Sequence, residues 1–219
     1  MTIEFLQEEL ETINGVRAPR VRDFMVDRDV AREHLGDPRT METLLVRESD
    51  GGIELALFLD DEVVLAAQRT DAHHRRPRLV RRCVLQPVAC AAEGVSHFIY
   101  VATRAAAGLP VSLLELEIQA EVDKFVLLLL HLWRRGLRRT SGSLRRRLFE
   151  RVRYHGHLAP AELERYRLAN RLAGGYARWL ESRFVDGADA DGLLREVRAT
   201  YRRGGADKIG YLEARGAEA

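Results

Sequence analysis

Four ionisable residues recur along an apolar stretch that otherwise has the composition of a buried helix. The stretch, residues 114–133, reads "LELEIQAEVDKFVLLLLHLW" and carries Glu117, Glu121, Lys124 and His131 at steps of four, three and seven. On a helix these steps place the four side chains on one stripe. Carboxylates, an amine and an imidazole on one stripe can bind a polar ligand or transfer a proton.

A second polar stripe precedes the first. Residues 87–107 also predict a helix, and they contain Glu93, His97, Tyr100 and Arg104 at steps of four, three and four. This spacing again predicts that the polar side chains share one face of a helix. The two stripes are complementary in charge and in hydrogen-bonding capacity.

The connection between the two helices, 108–111, is short, so helices 87–107 and 112–135 are expected to be antiparallel neighbours. Residues equidistant from the turn then face each other. The expected pairs are Arg104 with Glu117, Tyr100 with Glu121, and His97 with Lys124. These six residues are called the seam below. Pairing would explain charges on an apolar helix, because an unpaired buried ion costs several kcal/mol.

Two interpretations of the seam remain open. In the first, the polar pairs fix the register of two packed helices, or lie on a solvated face. In the second, four of the seam residues line a pocket that binds a ligand or moves a proton, namely His97, Tyr100, Glu121 and Lys124. The second interpretation would make the chain an enzyme or a small-ligand-binding protein.

The sequence predicts no metal site and no cofactor. The two stripes do contain acceptable ligands for iron, manganese or zinc, namely His97, Glu117, Glu121 and His131. The Glu-x-x-His pattern of di-metal helical bundles is absent from both helices, however. In addition, the ammonium group of Lys124 would repel a cation in the middle of the stripe.

A second constellation is basic. Residues 134–153 hold nine Arg and one acid, and residues 73–82 add further Arg and His residues. Guanidinium groups bind phosphates bidentately, so a nucleic acid, a nucleotide or an anionic lipid head group is the expected partner. The candidate anion-binding residues are Arg138, Arg139, Arg145, Arg146 and Arg147. The alternative is a solvated surface whose arginines pair with the protein's own acids.

Composition limits the class of protein. The chain has 219 residues, 46% of them hydrophobic, and a net charge of +2, so it can bury a core and its global charge implies no particular partner. Its 33 Arg against two Lys are typical of a GC-rich genome. Two Cys imply no disulfide framework, and the longest apolar run, 125–130, is too short to span a bilayer. A soluble, bacterial-type cytoplasmic protein is expected.

The common catalytic motifs do not occur in the sequence. It contains no Gly-rich phosphate loop, no G-x-S-x-G elbow, no H-E-x-x-H motif and no Cys–His nucleophile pair. A non-catalytic binding or regulatory protein that uses its Arg-rich segments on a phosphate-bearing or acidic partner is therefore favoured. An enzyme or ligand-binding protein with a polar pocket at the seam stays open as the alternative.

The order of predicted elements indicates an α+β fold that is mainly helical. Short helices are predicted at 3–13 and 27–35. The segments "ETLLVRE", "GIELALFL" and "EVVLA" predict a three-stranded antiparallel meander over 42–67. We expect this meander to pack on a C-terminal multi-helix body. The expected division is 1–86 for the α+β segment and 87–219 for the helical body, together forming one compact unit.

Local signals predict the helix boundaries. Pro87 is expected in the first turn of its helix. The sequence S-L-L-E at 112–115 is a capping box that begins the next helix. Pro160 begins a long helix in which small residues, including Gly174 and Gly175, allow a neighbouring helix to approach closely.

Overall fold

The computed structural model describes residues 1–34, 37, 39–49, 52–72, 82–152 and 158–218. By its contacts the chain divides into two compact units: unit 1 is Met1–Thr12 with Val16–Pro110, and unit 2 is Ile13–Gly15 with Val111–Ala219. The predicted division after residue 86, with both segments in one compact unit, stays a prediction. Two predicted features lie partly outside the described residues, namely the end of the predicted helix 27–35 and most of the basic segment 73–82.

Unit 1 combines helices with a small sheet. In chain order its elements are α1 Ile3–Asn14 (whose last two residues count with unit 2), a 3₁₀ turn Val21–Phe24, β1 Met25–Val26, α2 Arg28–Ala31, β2 Glu42–Ser49, β3 Gly52–Leu59, α3 Asp61–Ala72 and α4 Arg82–Ala106. The strand order is β1-β3-β2. With the helices of unit 2, this composition confirms an α+β, mainly helical fold.

The sheet is mixed, so the prediction of a purely antiparallel meander is wrong. Strands β2 and β3 do form the expected antiparallel hairpin, with Glu42 opposite Leu59. The third strand is β1, which runs parallel to β3 and pairs with it only at Leu57 and Phe58. A strand of two residues is too short to produce an alternating pattern that the sequence could reveal.

The segment predicted as the third strand, "EVVLA", forms the start of helix α3 instead. The side chain of Asp60 accepts a hydrogen bond from the backbone N–H of Glu62 at 2.8 Å, and Asp61 adds a second acid in the first turn. Acids at this position satisfy free N–H groups and favour a helix. Val63 and Ala67, four residues apart, are both buried. Helix-start chemistry therefore outweighs the β propensity of this segment.

Helix α4 begins five residues earlier than predicted, at Arg82, so Pro87 lies inside the helix and not in its first turn. The middle of α4 packs closely on the sheet. A Cβ atom on Gly94 would lie 2.7 Å from Cγ of Glu42 and 2.9 Å from Cδ2 of Leu59. Only glycine fits here, and this close approach brings the side chain of Glu42 against α4.

Among its described residues, unit 2 contains helices and their connections but no strand. Its elements are α5 Leu113–Arg134, a 3₁₀ turn Arg138–Thr140, α6 Ser141–Arg145, a first π-helical turn Arg146–Glu150, α7 Pro160–Leu180, a second π-helical turn Glu181–Val185, α8 Ala190–Arg202 and α9 Gly205–Ala217. The predicted capping box of Ser112 and Glu115 is present at the start of α5, and Pro160 begins α7 as predicted. None of the described helices combines the length and the apolar character needed to cross a bilayer.

Helix α7 packs against both α5 and α9, and its glycines set the distance to two neighbours. A Cβ atom on Gly175 would lie 3.1 Å from Cα of Gly216, so the backbones of α7 and α9 nearly touch. A Cβ atom on Gly174 would lie 3.1 Å from Cβ of Phe149, in the first π-helical turn. The close helix approach predicted from these glycines is confirmed.

A chain of buried polar groups ties α9 to α5. The ammonium group of Lys208, which is fully buried, donates to Oε1 of Gln119 at 2.7 Å. The Nε2 atom of Gln119 donates to Asp123 at 2.8 Å, and Nδ2 of Asn14 donates to the same oxygen of Asp123 at 3.0 Å. Buried polar groups need such partners, and here they fix the contact between helices.

Candidate functional site

The seam residues of unit 1 lie on α4, and His97 has a partner that the sequence did not reveal. Nδ1 of His97 lies 3.2 Å from Oε1 of Glu42, on β2. Both side chains are largely buried, at 8% and 12% exposed. A carboxylate at this position fixes the orientation and tautomer of the imidazole. Their separation of 55 residues gives no sequence signal, although Gly94 is the residue that allows the approach.

Tyr100 and Arg104, the other two seam residues of unit 1, are also buried. Nη2 of Arg104 donates to the backbone carbonyl of Pro110 at 3.1 Å. The guanidinium group lies 5.8 Å from the ring centroid of Tyr100, within the range of a cation–π contact. Within unit 1, Arg104 therefore helps to close the C-terminal end of α4.

The seam residues of unit 2 lie on α5. Nζ of Lys124 donates to Oε1 of Glu121 at 3.0 Å, one helical turn away, and Lys124 is 7% exposed. Glu117 lies 3.8 Å from Nε of Arg165 on α7, which is a long ion pair. Three seam residues belong to each unit, and the facing of the two stripes stays a prediction.

Among the predicted anion-binding residues, Arg145 forms ion pairs with two acids of unit 2. Its Nε donates to Glu181 at 2.7 Å, and its Nη1 donates to Glu150, also at 2.7 Å. Burial disfavours the guanidinium charge, but the two carboxylates outweigh burial and raise the pKa of Arg145 above its ordinary value. Arg145 thus makes internal pairs of the kind that the alternative describes, and its part in anion binding stays a prediction.

The remaining predicted arginines are not paired with acids among the residues that the structure describes. Arg138 donates to the backbone carbonyl of Val185 at 3.1 Å, and Arg146 makes a long hydrogen bond of 3.3 Å to Ser143. Arg139 and Arg147 form no ion pair or hydrogen bond with any residue that the structure describes. The same holds for Arg151, just beyond the first π-helical turn. We call Arg139, Arg146, Arg147 and Arg151 the arginine surface.

A cavity of about 560 Å³ lies within unit 2, where α7, α9 and the first π-helical turn meet. Its floor is apolar or made of backbone, and its rim is charged. The lining residues are Arg145, Phe149, Glu150, Asn170, Arg171, Leu172, Gly174, Gly175, Arg178, Leu212, Glu213, Gly216 and Ala217. Arg145 is the one predicted anion-binding residue in this lining. Another part of the lining could be seen in the sequence, because Arg171, Gly174, Gly175 and Arg178 have the i, i+3, i+4, i+7 spacing of one helix face.

A cluster of phenols in unit 2 is structural. Oε1 of Glu196 accepts hydrogen bonds from the hydroxyls of Tyr176 at 3.0 Å, Tyr211 at 2.7 Å and Thr200 at 3.1 Å. Burial, followed by the negative charge of Glu196, raises the pKa of Tyr176 well above its ordinary value. The Tyr176 phenol is therefore a permanent hydrogen-bond donor, and the cluster joins α7, α8 and α9.

No family model matches the chain, and neither a characterised protein nor a solved structure shows significant similarity to it.

Proposed function

We propose that the chain is a non-catalytic binding protein that engages the phosphate backbone of a nucleic acid through the arginine surface of unit 2. A cytoplasmic location, where nucleic acid is abundant, is part of this proposal. A nucleic acid is the proposed partner because Arg is the residue best suited to bidentate phosphate binding. Backbone binding without base recognition is proposed because stacking aromatics are scarce among these arginines.

The observation that carries the proposal is that no acid among the described residues forms an ion pair with these four neighbouring arginines. Arg139, Arg146 and Arg151 are exposed and Arg147 is half-buried, and none of the four is paired with an acid among the described residues. An arginine-rich surface that served only solubility would be expected to pair with the protein's own acids, as Arg145 does with Glu150 and Glu181. Apart from the long hydrogen bond from Arg146 to Ser143, the four side chains donate to no described residue.

The spacing of the arginines supports simultaneous contact with a polyanion. Residues 138–150 run through consecutive helical turns, so Arg139 and Arg146, seven positions apart, share a side of this segment. Arg147 and Arg151, four positions apart, share an adjacent side. Seven helical residues span about 10 Å, which is longer than one phosphate-to-phosphate step of a strand and within reach of flexible Arg side chains.

The test compares two sets of arginines in unit 2. The first variant is Arg139→Ala/Arg146→Ala/Arg147→Ala, which omits Arg145 because its acids already occupy it. The matched control is Arg195→Ala/Arg202→Ala on α8, where two exposed arginines also lie seven positions apart and pair with no described residue. Binding is measured by fluorescence anisotropy with a labelled DNA duplex and an RNA of equal length at low salt.

The arginine-surface variant is expected to bind at least tenfold more weakly than wild type, because three phosphate contacts are lost. The control variant is expected to bind within twofold of wild type. An equal loss of binding free energy per removed arginine in both variants would mean that total charge, and not this surface, drives binding. No binding of wild type to either nucleic acid would overturn the proposal and leave an acidic protein as the partner to test.

A further inference from the structure

We infer that the cavity of unit 2 binds a small sugar phosphate, either free or as part of a mononucleotide, with its phosphate held by Arg171 and Arg178. This site is separate from the arginine surface and does not depend on the proposed nucleic-acid binding. The volume of about 560 Å³ is in the range of small-molecule pockets.

The shape of the site follows from one face of α7. Arg171 and Arg178 are seven residues apart, and Gly174 and Gly175 lie between them on the same face. Two guanidinium groups thus flank a section of helix without side chains. Gly175 packs closely on Gly216 of α9 and Gly174 packs on Phe149, so these contacts form the inner wall of the cavity. A ligand can lie against this wall with its phosphate between the two guanidinium groups on the rim.

The arrangement of charges favours a phosphate over a carboxylate. Arg178 is exposed and pairs with no acid among the described residues. Arg171 makes a single long ion pair of 3.3 Å to Glu213, with both side chains more than half exposed. One guanidinium fork can satisfy the two oxygens of a carboxylate, whereas the three oxygens and higher charge of a phosphate suit two forks.

The rest of the lining suits a hydroxylated body. Nδ2 of Asn170 donates weakly to the carbonyl of Leu148, at 3.4 Å, which leaves the amide oxygen as an acceptor. The carboxylates of Glu150 and Glu213 lie on the same rim and are about half exposed. These groups accept hydrogen bonds, and sugar hydroxyls donate them. Phe149 and Leu212 provide an apolar floor for the ring.

The experiment is isothermal titration calorimetry of the full chain with four probes: ribose 5-phosphate, adenosine 5′-monophosphate, ribose and inorganic phosphate. Ribose 5-phosphate is expected to bind more tightly than inorganic phosphate, and ribose not to bind. Tighter binding of adenosine 5′-monophosphate than of ribose 5-phosphate would identify a mononucleotide, and not a free sugar phosphate, as the ligand. Failure of both phosphorylated sugars to bind, or binding of inorganic phosphate with equal affinity, would overturn the inference.

Three variants locate the binding. Arg178→Ala is expected to weaken binding of ribose 5-phosphate about tenfold or more, as for loss of a charged bidentate contact. Arg167→Ala is the matched control, because Arg167 is also an exposed α7 arginine without a described partner but does not line the cavity. Ala217→Leu fills the exposed edge of the cavity and should also abolish binding. Equal affinities of the Arg178 and Arg167 variants would place the ligand elsewhere and contradict the site.

The two sites are tested separately. Arg178→Ala is expected to leave nucleic-acid binding unchanged, and the triple variant of the arginine surface is expected to leave binding of ribose 5-phosphate unchanged. Failure of either proposal is thus distinguishable from failure of the other.

Discussion

Arg145 and Glu181 form an ion pair of 2.7 Å that joins the two π-helical turns of unit 2, since Arg145 directly precedes the first turn and Glu181 begins the second. The two side chains are 12% and 13% exposed. Turns of this kind carry one extra residue relative to an α-helix and are often found at functional sites. The ion pair therefore holds Arg145 in place in the wall of the cavity. It also occupies the guanidinium group, so Arg145 is not counted in the arginine surface.

The first prediction concerns the two partners of Arg145. Glu181→Gln is expected to lower the free energy of unfolding by about 1–3 kcal/mol, because a largely buried guanidinium loses a charged hydrogen bond. Glu150→Gln removes the other partner, which is 47% exposed, and should cost less than about 1 kcal/mol. Urea denaturation of both variants measures the difference. Equal costs would show that burial does not strengthen the Glu181 pair.

A second prediction concerns Lys124, which keeps a Lys in a chain where 33 of 35 basic residues are Arg. Its side chain is 9% exposed, and its ammonium group is 3.0 Å from Glu121. A guanidinium is larger and planar, so Lys124→Arg is expected to cost about 1–3 kcal/mol from overpacking. Lys124→Met should cost less if Glu121 finds another partner. A Lys124→Arg variant within about 0.5 kcal/mol of wild type in chemical denaturation would refute the argument.

Burial of both lysines leads to a third prediction. Lys124 and Lys208 are both buried, and the sequence contains no other lysine. An amine-directed acylating reagent should therefore leave both lysines unmodified in the folded protein and modify them in urea, as read by peptide mass spectrometry. Arg202→Lys supplies an exposed control amine on α8 that should react under native conditions. Rapid native acylation of Lys208 would contradict its burial.

The fourth prediction is a dependence of stability on pH through Glu115. Burial raises the pKa of this carboxyl, but hydrogen bonds from the backbone N–H groups of Gly205 and Ser112, helped by the nearby Lys208 charge, outweigh it and lower the pKa below its ordinary 4.5. Because the pKa of Glu115 is lower in the folded state than in the unfolded state, its charge stabilises the fold fully at pH values above the unfolded-state pKa. This stabilisation is lost as the pH falls through the folded-state pKa.

Glu115→Gln can keep the capping box through its amide oxygen, while it removes the charge and replaces one acceptor oxygen by an NH2 group. The variant is expected to be less stable than wild type by about 1 kcal/mol at pH 7, with the difference shrinking below pH 4.5 as wild-type Glu115 becomes protonated. Denaturation curves from pH 7 to pH 3 measure this convergence. A difference that does not change with pH would mean that the charge of Glu115 contributes nothing.

Features set by neighbouring residues could be predicted from the sequence. The capping box at Ser112 and Glu115 and the start of α7 at Pro160 follow from groups within one helical turn. Helix α3 was missed because β-branched residues suggested a strand, whereas the cap at Asp60 decided the outcome. Strand β1 was missed because two residues carry no periodicity.

The partners of the candidate residues could not be predicted, because tertiary packing selects them. Glu42 reaches His97 across 55 positions, Glu181 reaches Arg145 across 36, and Gln119 reaches Lys208 across 89. The sequence did indicate an arginine-rich segment, but not which of its members were already paired with acids. The face of α7 formed by Arg171 and Arg178 was visible in the spacing and became informative only with the cavity beside it.

The central claim, phosphate binding by the arginine surface, is tested most directly by the salt dependence of duplex DNA binding. The logarithm of the association constant should fall linearly with the logarithm of salt concentration for wild type. Arg139→Ala/Arg146→Ala/Arg147→Ala should reduce the magnitude of that slope by about two to three units, close to one per lost phosphate contact. Arg195→Ala/Arg202→Ala should leave the slope unchanged. A triple variant with the wild-type slope, or a control variant whose slope falls equally per removed arginine, would contradict the claim.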